Sequence, residues 1–115
     1  MPQDTNAEAA VLSAMMLDNA LASQALEKLT EENFYRSAHK LIFQVIYELF
    51  AEHTEIDIIT IIDRLKKKNY LDKVGGEAFI NELSDMVLSG ANLAYHLKIV
   101  LEKSLLRQLI NTADK

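Results

Sequence analysis

The chain has 115 residues, a net charge of −5 and no cysteine. That length suits one domain, and the missing cysteines exclude disulfides, thiolate zinc sites and cysteine nucleophiles together. Three glycines and one proline favour helices over a sandwich or barrel, and leave no G-x-G-x-x-G or G-x-x-x-x-G-K-[ST] cradle for a phosphate.

From the N-terminus, Met1-Pro2-Gln3-Asp4 has no basic segment ahead of an apolar core, so no signal peptide is expected. Thr5-x-x-Glu8 has capping-box spacing and predicts a first helix over Asn6–Leu17, with Ala7, Val11, Leu12, Met15 and Met16 apolar. Asp18 is placed to cap a second helix through Leu29, turning Leu21, Ala25, Leu26 and Leu29 inward. Thr30 to Arg36 reads as a polar connector with Phe34-Tyr35 as an aromatic plug. Ser37 is then the expected cap of the strongest helical pattern, about Ala38 to Glu52, where Leu41, Ile42, Val45, Ile46, Leu49 and Phe50 recur at i, i+3, i+4 spacing. Phe43 and Tyr47 widen that face, which predicts a central helix buried on more than one side.

Asp57 is the expected cap of a fourth helix, Ile58 to about Lys68. Five isoleucines between positions 56 and 62 also suit a strand. The spacing of Ile58, Ile61, Ile62 and Leu65, and the cationic end Arg64-Lys66-Lys67-Lys68, favour a helix. Leu71–Gly76 reads as a turn, followed by a fifth helix over Glu77–Val87 and a break at Ser89-Gly90-Ala91. Asn92 opens a last helix expected to reach nearly to Lys115. The reading is therefore all-α with six helices, without strand or repeat, and without any run of about 18 apolar residues that would span a membrane.

The last helix carries two apolar faces. Leu93, Leu97, Val100 and Leu101 fall together on a helical wheel, and the same side turns polar at Ser104, Arg107, Gln108 and Asn111. A second face runs the full length, because Tyr95, Ile99, Glu102, Leu106, Leu109 and Ala113 are spaced as a heptad seam, flanked by Leu105 and Ile110. Two arrangements fit this pattern. Neighbouring helices of the same domain cover both faces, or the distal half projects and pairs with a helix from another segment or chain. The second divides the chain into a globule over residues 1–91 and an arm over 92–115, and it requires that Leu106, Leu109 and Ile110 find no cover within residues 1–105.

Catalytic, cofactor and metal sites are not expected. His39, His53 and His96 form no metal-binding spacing, Glu31, Glu32, Glu52 and Glu55 read as solvated surface, and no nucleophile motif surrounds Ser37, Ser84, Ser89 or Ser104. His39, at a helix start, suits a structural hydrogen bond. Residues 1–63 hold eleven acids and three bases, a poor surface for a polyanion. Arg64, Lys66, Lys67, Lys68 and Lys73, with Tyr70 among them, form the one basic cluster, read as a solvated helix end and not as a nucleic-acid site.

Several strings, in this order and spacing, resemble the N-terminal domain of the bacterial replicative DNA helicase, the DnaB family. They are Asn6-Ala7-Glu8-x-x-Val11-Leu12-x-x-Met15-x-Leu17-Asp18 and Asn33-Phe34-Tyr35-x-x-Ala38-His39-x-x-Ile42-Phe43. They continue with Ile56-Asp57-Ile58-x-Thr60, Leu71-x-x-Val74-Gly75-Gly76 and Ser89-x-Ala91-Asn92-x-x-x-Tyr95. Ile99-Val100-x-Glu102-Lys103-x-Leu105-x-Arg107-x-Leu109-Ile110 completes the set, although Leu88 stands where proline is common. The resemblance implies a helical globule followed by a helical hairpin, of which the last helix is the first arm. It implies hairpin pairing between subunits, a hexameric collar and docking of the helicase-binding domain of a primase, in the cytoplasm. Tyr95, Ile99, Leu106, Leu109 and Ile110 would be the subunit-pairing residues. ATP and Mg belong, on this resemblance, to a RecA-like domain that is not in this chain. The helicase-binding domain of a primase, with a similar fold, and an unrelated helical interaction module are the alternatives. A small enzyme would need a nucleophile, metal or phosphate motif that the sequence lacks.

Overall fold

In the computed structural model, which describes residues 1–113, three helices begin where an aspartate side chain satisfies a free amide of the first turn. α1 (Thr5–Met15) starts at Asp4, whose carboxylate accepts from the Ala7 amide at 2.9 Å. α2 (Asn19–Lys28) starts at Asp18 in the same way. A single 3-10 turn, Glu31–Asn33, lies inside the connector that leads to α3 (Ser37–Ala51). α4 (Ile58–Lys67) opens on a reciprocal capping box. The Thr60 amide donates to Asp57 at 2.8 Å, and the Asp57 amide donates to the Thr60 hydroxyl oxygen at 3.0 Å.

Two of the predicted starts differ. Glu8 does not close a capping box with Thr5; Asp4 takes that role. Nor does Ser37 cap α3, whose N-cap is Arg36 with no side-chain hydrogen bond of its own. The buried Glu8 crosses from α1 and supplies the cap instead. It accepts from the Tyr35 amide at 2.7 Å and the Arg36 amide at 3.3 Å, and meets Nδ1 of the buried His39 at 2.8 Å. A carboxylate there also faces the positive end of the α3 dipole. Burial pushes the Glu8 carboxyl up. The hydrogen bond to His39 and those from the Tyr35 and Arg36 amides outweigh it and hold the group below its ordinary value.

α3 and α4 both end in a left-handed residue, His53 at φ 58° and Asn69 at φ 62°. Each end closes in the Schellman pattern. The Thr54 amide returns to the Leu49 carbonyl and the His53 amide to Phe50, while the Tyr70 amide returns to Leu65 and the Asn69 amide to Lys66. The segment read as a turn contains a further short helix, α5 (Leu71–Val74), which raises the count of α-helices among the described residues to seven. Gly75 at φ 109° ends α5 and begins α6 (Gly76–Ser84), a corner that an L-residue takes only with strain. α6 stops at Ser84 and not Val87. Residues 85–92 return irregularly along α1, pinned where the Val87 amide donates to the Ser13 hydroxyl at 3.1 Å. α7 spans Leu93–Ala113; the expected extension to Lys115 lies outside the described residues.

α1 and α3 cross at the centre. α1 meets α2, α3, α6 and α7, and α3 meets α1, α2, α4, α5 and the 3-10 turn. Val11, Leu12 and Met15 from α1 join Ile42, Ile46 and Leu49 from α3, all essentially inaccessible to solvent. Ile61 and Leu65 of α4 and Ile80 of α6 close the core from the other side. The isoleucine-rich segment is thus helical, and no strand occurs among the described residues. The all-α reading holds.

Candidate functional site

α7 has 21 residues, about 31 Å of helix. Leu93, Leu97, Val100, Ser104 and Arg107 are buried at successive steps of four and three, and this stripe rests chiefly on α1. The sequence correctly turns this side polar beyond Leu101, but Ser104 and Arg107 are packed against the globule and do not meet water. The Asn33 side-chain amide donates to Ser104 Oγ at 3.0 Å. Arg107 donates through Nη1 to the Pro2 carbonyl at 2.9 Å and through Nη2 to the Asn33 carbonyl at 2.8 Å. Its guanidinium lies 5.5 Å from the centre of the Tyr35 ring, within cation–π range. The helix therefore keeps to its own domain as far as Arg107, through hydrogen bonds where apolar packing runs out.

The other side of α7 is largely open. Tyr95 is 65% exposed, Leu106 44%, Leu109 58% and Ile110 39%, with Leu105 beside them at 57%. Ile99 differs: it is half-buried against the core and forms the edge of the row. Glu102 interrupts the row with an exposed charge. The side chain of Ala113 lies outside the described residues. The cluster of Leu105, Leu106, Leu109 and Ile110 at its distal end is the kind of exposed apolar patch that marks an interaction surface.

Candidate chemistry elsewhere is absorbed by structure. Arg64 forks onto Glu52 at 2.7 and 3.0 Å and reaches Glu48 at 3.0 Å, while Lys68 also bonds Glu48. Lys67 pairs with Asp63 at 3.1 Å, and the Lys73 ammonium sits 5.0 Å from the centre of the Tyr70 ring. The basic cluster is thus largely answered by its own neighbours. His39 is the structural histidine that its helix-start position suggested. Its Nε2 is buried without a partner, while Nδ1 faces the Glu8 carboxylate, an acceptor to which it donates. Among the described residues there is no group of three or more His, Cys, Asp or Glu able to hold a metal, and no helix is long and apolar enough to cross a membrane. ATP does not fit these residues either. Gly75-Gly76 opens α6, but the first turn carries Glu77 and none of the Lys or Ser/Thr that grip a nucleoside triphosphate and its metal.

Sequence reasoning missed Glu8 as a tertiary cap and Arg107 as an anchor. Arg107 did leave a signal, because it continues the heptad of Leu93, Leu97 and Val100 on the covered side.

The model of the DnaB-like helicase N-terminal domain family matches residues 1–102. The replicative DNA helicase DnaB of Geobacillus stearothermophilus is 41% identical over 112 residues, which are 97% of this chain and 25% of that protein. DnaB of Rhodothermus marinus is 38% identical over 109 residues, 95% of this chain and 12% of the relative. This chain thus spans a quarter or less of the length of these two relatives. The crystal structure of the N-terminal domain of DnaB helicase from Mycobacterium tuberculosis superimposes with a TM-score of 0.93 at 34% identity, covering 98% of this chain and 82% of that one.

Proposed function

This chain belongs to the DnaB-like helicase N-terminal domain family, and on that premise we propose that it acts by assembly and docking rather than by chemistry. In this reading it is the collar domain of a replicative DNA helicase. The proposed division sets the globule at residues 1–91 and the pairing arm at 92–115, the arm lying along the globule as far as Arg107 and associating through its open side with that of a second subunit, as one step in building a hexameric collar. The observation that carries the reading is the row of Tyr95, Leu106, Leu109 and Ile110, exposed on α7 although the opposite side of the same helix is fully engaged. A helix resting on one core needs one stripe; α7 has two. Ile99, half-buried, borders the row and completes the proposed pairing set.

The same reading assigns ATP and Mg to an ATPase domain of the full-length helicase, makes the helicase-binding domain of a primase a partner of the collar, and places the protein in the cytoplasm, with little direct contact between this domain and nucleic acid. Membership of the helicase family favours it over the helicase-binding-domain alternative. Sedimentation of the parent chain against Leu106→Glu and Ile110→Glu tests it. The parent is expected to self-associate with increasing concentration and both variants to remain monomeric. A parent that stays monomeric at millimolar concentration, or variants that associate as the parent does, would overturn the assignment of this row to subunit pairing.

A further inference from the structure

The apolar arc of α3 is wider than its own domain covers. Ile42, Ile46 and Leu49 are sealed in the core, yet Tyr47 on the adjoining side is half exposed and Ala51 is exposed. These residues face a groove of about 890 Å³ between α3 and the end of α2 with the 3-10 turn that follows. Its apolar lining is Leu26 and Leu29 from one side and Phe43, Tyr47 and Phe50 from the other. No residue of α7 lines it, so it is separate from the pairing row.

Form and charge both restrict the occupant. Phe43, Tyr47, Phe50 and Ala51 succeed one another at i, i+4, i+7 and i+8, the rhythm of a helix face that receives another helix. The two edges differ electrically. On the α3 edge, Glu48 and Glu52 are already answered by Arg64 and Lys68. On the α2 edge, Glu31 lines the groove and no ion pair among the described residues engages it, while the exposed Glu27 and Glu32 lie beside the lining residues in the sequence. We propose that this groove binds an amphipathic helix of a partner protein, whose apolar stripe lies over Tyr47 and whose Lys or Arg residues run along the α2 edge. A helix acidic on that flank would meet the uncompensated charge of Glu31, and an uncharged one would gain nothing from it.

The test uses the full chain, isotopically labelled for amide NMR, and synthetic helical peptides of about fourteen residues, or roughly four turns. One carries leucines on one stripe and lysines on one flank, a second replaces the lysines by glutamates, and a third replaces the leucines by serines. The basic apolar peptide is expected to shift the amides of Leu26, Thr30, Gln44 and Tyr47 and to bind at least about tenfold more tightly than either other peptide. Glu31→Lys is expected to abolish that preference, while Glu82→Lys, the same charge change on the exposed side of α6, leaves it intact. Equal binding of the acidic peptide, an equal loss with Glu82→Lys, or shifts confined to α7 would overturn the proposal. Sedimentation of Tyr47→Glu without peptide covers the remaining occupant. An unchanged mass agrees with a foreign helix, and a lowered mass shows that a second copy fills the groove and overturns it.

Discussion

Replacing Glu8 by glutamine removes one acceptor and one charge while keeping the shape of the side chain. In the parent the two carboxylate oxygens serve the Tyr35 amide at 2.7 Å, the Arg36 amide at 3.3 Å and His39 Nδ1 at 2.8 Å. Glutamine offers one oxygen and turns an N–H toward whichever donor it no longer serves. One buried donor left unpaired costs about 1–3 kcal/mol, and hydrogen bonds to a charged group exceed neutral ones by a further kcal/mol or so. The expected loss is therefore roughly 2–4 kcal/mol, a large share of the 5–15 kcal/mol typical of a domain. Urea unfolding followed by far-ultraviolet circular dichroism reads it directly. Its pH dependence gives a second readout. The folded value of Glu8 lies below the ordinary 4.5, so its contribution is fully present above 4.5 and drains away as the pH falls through the folded value. The gap between parent and Glu8→Gln should not narrow between neutral pH and about 4.5, and should narrow beneath it. A gap under about 0.5 kcal/mol at neutral pH, within the range of an ordinary surface change, would refute the tertiary-cap argument. So would a gap that closes already between neutrality and pH 5, or that is undiminished at about pH 2, where carboxylates are protonated.

Arg107→Met keeps much of the aliphatic stem but leaves the Pro2 and Asn33 carbonyls without their donor. Unfolding free energy should fall by roughly 1–3 kcal/mol, and hydrogen exchange should show protection lost along α7 beyond Val100 while α3 keeps its own. His53→Gly relieves a left-handed β-carbon at the end of α3. It is expected to stabilise the chain by about 0.5–1 kcal/mol in the same urea assay, since the strain of about 1–2 kcal/mol exceeds the extra chain entropy that glycine loses. A destabilised His53→Gly would show that the imidazole makes a contribution larger than its backbone strain.

What the sequence made legible was what is local. Asp18 and Asp57 act three residues away on their own helices, and the i, i+3, i+4 pattern of Ile42, Val45, Ile46 and Leu49 reports one buried stripe. The Schellman ends were harder to see, because histidine is an unusual left-handed residue and its conformation at position 53 is set by the two amides that return to Leu49 and Phe50. Long-range polar contacts left the weakest trace. Glu8 lies 27 and 28 residues from the amides it accepts, so its spacing to Thr5 suggested a local partner that the fold does not use. For the candidate site, periodicity located the row Tyr95, Leu106, Leu109 and Ile110, but it could not say that Ile99 would be half-buried, which depends on how α7 tilts on α1.

The Arg107 anchor has a consequence for how α7 behaves in different solutions. Its partners are two backbone carbonyls and an aromatic ring, and among the described residues it has no carboxylate. Added salt screens charge against charge at the surface far more than it weakens a buried guanidinium held by carbonyl dipoles. The partly exposed cluster of Arg64, Lys68, Glu48 and Glu52 that ties α3 to α4 is the contact that ionic strength erodes. The direction in which α7 presents its apolar row is thus set by a joint nearly indifferent to ionic strength, in a domain whose α3–α4 ion-pair joint is not.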